Sequence, residues 1–255
     1  MYAAERQLFL TEMLERHGRV AVNEVAHHLK VSTETIRRDL TVLERAGTAR
    51  RVHGGAVLSS AYSRIEPSLS QRTSERPDLK ARIAAAALAF LPPAGGSVLL
   101  DGGSTVAHLV AALPADLRLT VLTHSVAIAH QLLGHEGIAL HTIGGRVRDV
   151  TGVAVGQRTV ETLASTRADV AFLGTNGITA DHGFSTPDSD EAAVKRALVG
   201  SARTRVVLAD STKFGPHQVF SFADLDQVTV VVTDDGIRAQ DRAMLHEAGV
   251  DVVVA

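Results

Sequence analysis

From Ser97 onward, short apolar runs alternate with helical stretches, and this alternation constrains the fold more than any other feature of the chain. The runs at 97–100, 119–122, 138–143, 170–173, 205–209, 228–233 and 250–253 read as strands. Helical periodicity follows at about 104–113, 125–133, 156–165, 190–201 and 237–248. Strands buried on both faces are largely apolar rather than alternating, and strand–helix repetition implies a parallel sheet covered by helices on both sides. A further helix over 78–91 precedes the first strand and is closed by Pro92-Pro93 and Gly95-Gly96.

The first 58 residues follow a different rule. Leu8, Phe9, Leu10, Met13 and Leu14 mark a helix ending near Gly18, and Asn23 opens a second short helix holding Val25, Ala26 and Leu29. Lys30-Val31 make a tight turn, and Ser32 starts a third helix that stops at Gly47. On that helix Ile36, Leu40 and Leu43 share one face, while Arg37, Arg38, Thr41 and Arg45 lie on or near the other. Ser32 stands where an N-cap hydroxyl accepts a backbone N–H. Residues 48–58 read as two short strands around a turn. Helix, helix, turn, helix and hairpin is the order of a winged helix-turn-helix, whose third helix can enter a DNA major groove.

Composition bears on where such a chain works. With 255 residues, 45% of them hydrophobic, it can bury a sizeable core. It has no cysteine, which rules out disulfides and thiolate metal sites and suits a reducing compartment. No apolar run approaches the roughly 20 residues of a membrane span, and the first residues lack a signal-peptide layout, so a cytoplasmic protein is expected. Formal charge is +2 over residues 1–58 and −4 over the remainder, which permits a basic patch on a mildly acidic body. The twelve histidines show no ligand spacing, so no metal and no cofactor is expected.

The chain is expected to divide into a winged helix-turn-helix at 1–58, a linker rich in Ser, Arg, Glu and Pro at 59–77, and an α/β domain at 78–255. In the α/β domain, polar loops follow the strands: Asp101-Gly102-Gly103-Ser104-Thr105, Thr123-His124-Ser125, Gly144-Gly145-Arg146, Gly174-Thr175-Asn176-Gly177 and Asp210-Ser211-Thr212-Lys213. Open α/β sheets place ligands at the strand C-termini. Glycines allow close approach, and a helix N-terminus offers free N–H groups to an anion. The first loop is neither a dinucleotide fingerprint nor a Walker A motif. Any single loop reads equally as a plain turn, and Glu191 with Lys195 reads equally as an i,i+4 ion pair.

Arg6, Leu10, Leu14 and the run Ser32, Thr35, Ile36, Arg37, Arg38, Asp39, Leu40 resemble the signature of DeoR-type (deoxyribonucleoside-repressor) bacterial transcriptional regulators. Arg50-Arg51-Val52-His53-Gly54-Gly55-Ala56 is similar to that family's wing. The later loops, with Gly183-Phe184-Ser185-Thr186, Glu191, Lys195 and Lys213-Phe214-Gly215, resemble its sensor domain, so the resemblance covers about residues 3–235. It implies DNA contacts from Ser32, Thr33, Thr35, Arg37, Arg38, Arg50, Arg51 and His53. Asp39 reads as a local ion-pair or capping partner, since a carboxylate would repel phosphates.

The resemblance also implies an isomerase-like sensor fold and a sugar-phosphate effector. The phosphate would lie at Gly103, Ser104 and Thr105 beside Asp101 and Gly102, with Lys213 as counter-charge. Thr123, Ser125, Arg146, Asn176, Glu191 and Lys195 would meet sugar hydroxyls or a second anionic group. Related isomerases use an acidic group after the fourth strand, where this chain has Asn176; an amide abstracts no proton, although Asp181 is nearby. The resulting expectation is a repressor of sugar-metabolism genes that is not an enzyme. It would bind operator DNA as a homodimer or tetramer without a membrane partner. A sugar-phosphate isomerase or deaminase with a DNA-binding appendage and a protein-interaction module are the rivals.

Overall fold

The computed structural model describes residues 3–17, 19–45, 48–52, 54–58 and 68–255. The chain forms two compact units, Met1–Glu66 and Pro67–Ala255.

The first unit runs α1 (Ala3–His17), β1 (Arg19–Ala21), α2 (Val22–Leu29), α3 (Thr33–Arg45), β2 (Ala49–Val52) and β3 (Gly55–Leu58). The strands pair antiparallel in the order β1-β3-β2. Strand β1, absent from the sequence reading, turns the expected hairpin into a three-stranded wing sheet. Leu10 and Leu14 from α1, Val25 and Ala26 from α2, and Ile36, Leu40 and Leu43 from α3 form one core. The stripe expected on α3 is therefore buried, and removing such a side chain would cost about 2–5 kcal/mol. Lys30 closes α2 in the left-handed conformation, with φ 52°.

The second unit opens with α4 (Leu69–Ser74) and α5 (Pro77–Ala87). It continues through β4 (Ser97–Leu100), α6 (Ser104–Ala111), β5 (Leu119–Thr123), α7 (Val126–Leu132), β6 (Ile138–Thr142), β7 (Arg146–Val147), β8 (Ala154–Val155) and α8 (Gln157–Ala164). Then come β9 (Ala168–Gly174), β10 (Gly177–Thr179), β11 (Gly183–Thr186), α9 (Ser189–Gly200), β12 (Ala202–Leu208), β13 (Phe220–Ala223), β14 (Val230–Thr233), α10 (Ala239–Glu247) and β15 (Asp251–Val254). Seven strands form one parallel sheet in the order β15-β14-β12-β9-β4-β5-β6. Two hydrophobic cores cover it. One packs Ile83, Val106, Leu109 and Ile128 against the sheet, the other Leu163, Val194, Leu198 and Leu245.

From β4 the chain winds outward one way to β6, then returns to lay β9 on the other side of β4 and winds away. The loops after β4 and β9 thus diverge at a topological switch point, where such sheets open a crevice. The stretch expected to be a linker contains α4. Ser68 caps it, accepting from the Gln71 N–H while Gln71 Oε1 accepts from the Ser68 N–H. The loop regions also hold structure that the sequence reading lacked: the β7–β8 hairpin and the antiparallel sheet β10-β11-β13.

Candidate functional site

In the first unit, α3 presents a polar face. Ser32 Oγ accepts the Thr35 N–H at 3.1 Å and lies 2.8 Å from Thr35 Oγ1, so its hydroxyl is the helix cap. Thr33 is half-buried, and the Arg37 and Arg38 side chains are 53% and 80% exposed. Glu34 lies between them, 3.9 Å from Arg37 and 3.7 Å from Arg38. Exposed pairs of this kind contribute little and exchange readily for other anions. Asp39 points inward to Arg6 at 2.7 Å and ties α3 to α1. Arg50 and Arg51 lie on β2, while their side chains, and His53 altogether, fall outside the described residues.

In the second unit, an open cleft lies at the C-terminal ends of β4, β9 and β12. Asp101, Gly102, Gly103, Ser104, Thr105, Asn176, Glu191, Lys195 and Lys213 line it, as do Thr151, Val153 and Asp210. Gly103 takes φ 118°, which only glycine adopts without strain, and a Cβ on Gly102 would stand 2.2 Å from Val153 Cγ1. Backbone approach is thereby kept open at the start of α6, whose first N–H groups have no partner within the helix.

Asp101 is the electrostatic centre of the cleft floor. Its Oδ1 accepts from the Gly102 N–H at 2.8 Å and lies 3.0 Å from His124 Nε2. Its Oδ2 accepts from the Gly174 N–H at 2.9 Å and from the Lys195 ammonium. Burial pushes the carboxyl up, but Lys195 and His124 outweigh burial and hold it well below the usual carboxylate range. Lys195 also donates to the Gly174 carbonyl at 2.9 Å. Glu191 instead accepts from Arg148 at 2.6 Å and from Thr151. The two residues thus turn to different partners, and the i,i+4 pair that their spacing allows is not what orients them.

Three residues expected to meet the effector are not among those lining this cleft. Thr123 is buried; its Oγ1 donates to the Leu100 carbonyl at 2.8 Å and accepts from the Ser125 N–H at 3.1 Å. Ser125 caps α7 by accepting from the Ile128 N–H. Arg146 sits on the surface, 2.6 Å from Asp190. The arginine that turns inward is Arg148, 3.2 Å from Asp188 and bonded to Glu191.

Four further cleft residues come from the expected linker and the start of α5: Arg72, Glu75, Arg76 and Lys80. Arg72 lies on α4, Arg76 at the bend and Lys80 on α5, so no single helix period unites them; the Ser68–Gln71 capping pattern was the readable signal. Lys80 is buried and donates to the carbonyls of Arg72 and Glu75; burial pushes its ammonium pKa down. Arg76 donates to Thr212 Oγ1 at 2.9 Å and lies 3.6 Å from Asp210. Among the described residues no helix is long and apolar enough to cross a membrane.

Comparison with known proteins accounts for both units. Residues 6–61 match a DeoR-like helix-turn-helix domain, and residues 75–235 match the DeoR C-terminal sensor domain. The chain is 35% identical to an uncharacterized HTH-type transcriptional regulator, FruR, of Bacillus subtilis (strain 168), over 92% of both chains. It is 30% identical to the HTH-type transcriptional repressor GlcR of the same organism, over 100% of this chain and 97% of that one. It is 29% identical to the glycerol-3-phosphate regulon repressor of Escherichia coli (strain K12), over 92% of both. The exposed arginine face on a capped third helix and the sensor unit behind it in the chain are thus the two parts of a protein that belongs to the DeoR family of DNA-binding transcriptional regulators.

Proposed function

We propose that this regulator is a repressor of sugar-metabolism genes whose hold on operator DNA is set by a phosphorylated sugar in the cleft. The observation that carries the reading is the pairing of two chemistries in one crevice. The start of α6, with N–H groups suited to an anion, lines the crevice together with the cations Lys80, Arg76 and Lys213. Asn176, Thr151 and Glu191 line it too, with amide, hydroxyl and carboxylate groups suited to sugar hydroxyls. The names of the relatives, a glycerol-3-phosphate regulon repressor among them, support this assignment.

The polar side chains of the cleft serve binding rather than turnover. Asn176 replaces the carboxylate on which related isomerases rely. Glu191 is engaged by Arg148 and Thr151, and Asp101 by the Gly102 and Gly174 N–H groups and Lys195, with His124 beside it, so neither stands ready to take a carbon-bound proton. DNA would be held by Arg37, Arg38, Thr35 and Thr33 on α3 with Ser32 at its cap, and by Arg50, Arg51 and His53 on the wing. A single winged module covers little DNA, so the working form is a homodimer or tetramer in the cytoplasm.

A thermal-shift screen tests the cleft assignment. A sugar phosphate that binds the folded state raises the melting temperature, and its unphosphorylated parent does not. Equal shifts from both would remove the phosphate from the reading. Turnover of a pentose or aminohexose phosphate, lost in Glu191→Gln, would replace it with the enzymatic one.

A further inference from the structure

The elbow between α4 and α5 has features that neither helix needs for its own sake. Arg76, a non-glycine residue, holds φ 48° and ψ 52° at the bend, immediately before Pro77. An L-residue is strained there and stays only where its surroundings fix it. Lys80, one turn into α5 and 5% exposed, sends its ammonium back to the carbonyls of Arg72 and Glu75 and so clamps the bend from inside. An ammonium has three protons, and two carbonyls take two of them. Arg76 reaches across to Thr212 and Asp210. Arg72 Nε is buried with no hydrogen-bond partner among the described residues. All three cations line the cleft beside Gly103–Thr105. The elbow's other tether is the Leu69 N–H, which donates to the Val150 carbonyl at 3.0 Å.

We propose that this elbow is the sensor's output: an anion in the cleft draws Lys80, Arg76 and Arg72 to itself and pins α4 and the bend against the start of α6. The proposal rests on the cleft being an anion site. Helix α4 is the first element of the sensor unit, so the chain arriving from the DNA-binding unit meets the elbow before anything else in that unit. An effector that orders a segment acts through conformational freedom as well as through contacts.

The test is hydrogen exchange on the full-length chain with inorganic phosphate as the probe, beside a thermal-shift measurement on the same samples. Phosphate should raise the melting temperature and slow exchange of the amides at 69–76 by about tenfold, or about 1.4 kcal/mol, relative to those of α10. Lys80→Met, which keeps the buried stem and removes the charge, should lose that slowing. Arg76→Gly, which relieves the strained φ and removes the guanidinium, should weaken it and guards against a Lys80 variant that fails to fold. A melting temperature raised by phosphate with unchanged exchange at 69–76 overturns the elbow while leaving the anion site standing. Slowing that survives in both variants overturns it too. No thermal response to phosphate overturns the anion site and the elbow together.

Discussion

Replacing Asp101 by Asn exchanges one oxygen for an NH₂ group at nearly constant volume. In the native cleft Oδ1 serves the Gly102 N–H and lies against His124 Nε2, and Oδ2 serves the Gly174 N–H and the Lys195 ammonium. An amide has a single acceptor oxygen. Placed at Oδ2, it sets its NH₂ against the Gly102 N–H; placed at Oδ1, it sets its NH₂ against both Gly174 and Lys195. In either case the Lys195 side chain, 7% exposed, loses its only carboxylate among the described residues' ion pairs. An uncompensated buried charge costs about 3–5 kcal/mol. For a domain of this size each kcal/mol moves the midpoint by about 2–4 °C, so the sensor unit should melt roughly 6–20 °C lower. Calorimetry, or circular dichroism of the sensor transition, reads this directly. Adding Lys195→Met should recover part of the loss, because the stranded charge goes with it. A drop under about 2 °C for Asp101→Asn, below the 1 kcal/mol scale, would show that Asp101 and Lys195 do not depend on each other as described.

Arg38→Ala should weaken operator binding and flatten its salt dependence, since each phosphate-bound cation lost removes about one unit from the slope; an unchanged slope in fluorescence anisotropy would take α3 off the DNA. Acid stability follows from the carboxyls held below their ordinary value of 3.8, Asp101 and Asp210. Burial raises both, and Lys195 and Lys213 respectively lead the groups that lower them. A depressed folded pKa contributes stability that is complete above the unfolded value and drains away as pH falls below it toward the folded one. The melting temperature of the sensor unit should therefore fall steeply below about pH 4 and less steeply in Asp101→Asn; parallel curves would contradict the ionised buried pair.

The parallel sheet was legible because its strands are buried on both faces, so runs such as Leu99–Leu100 and Phe172–Leu173 read as apolar without alternation. The sheet β10-β11-β13 was not. Gly177–Thr179 is three residues long, and the strand completing the sheet, Phe220–Ala223, comes more than thirty residues after β11. Helix α4 hid in its own polarity: Leu69-Ser70-Gln71-Arg72-Thr73-Ser74 has the composition of a linker, and only its capping pair betrays it.

The cleft was legible where its residues follow strand ends, at Asp101–Thr105, Asn176 and Lys213. Thr123 and Ser125 also follow a strand end, but their hydroxyls bond within their own turns and do not line the cleft. Choosing between Arg146 and Arg148 lay beyond local reasoning, because what turns Arg148 inward is Glu191, far along the chain. The stripe of Ile36, Leu40 and Leu43 was readable because helical period alone decides it.

Whether a phosphorylated sugar in the sensor cleft sets the affinity of α3 for operator DNA is read by titrating the full-length protein on its own upstream DNA with the sugar phosphate that raises its melting temperature. Affinity should change by about 5–150-fold, the usual range of allosteric coupling. It should not change with the unphosphorylated sugar, nor in Lys213→Ala. Full DNA affinity at every effector concentration, with the cleft demonstrably occupied, would contradict that coupling.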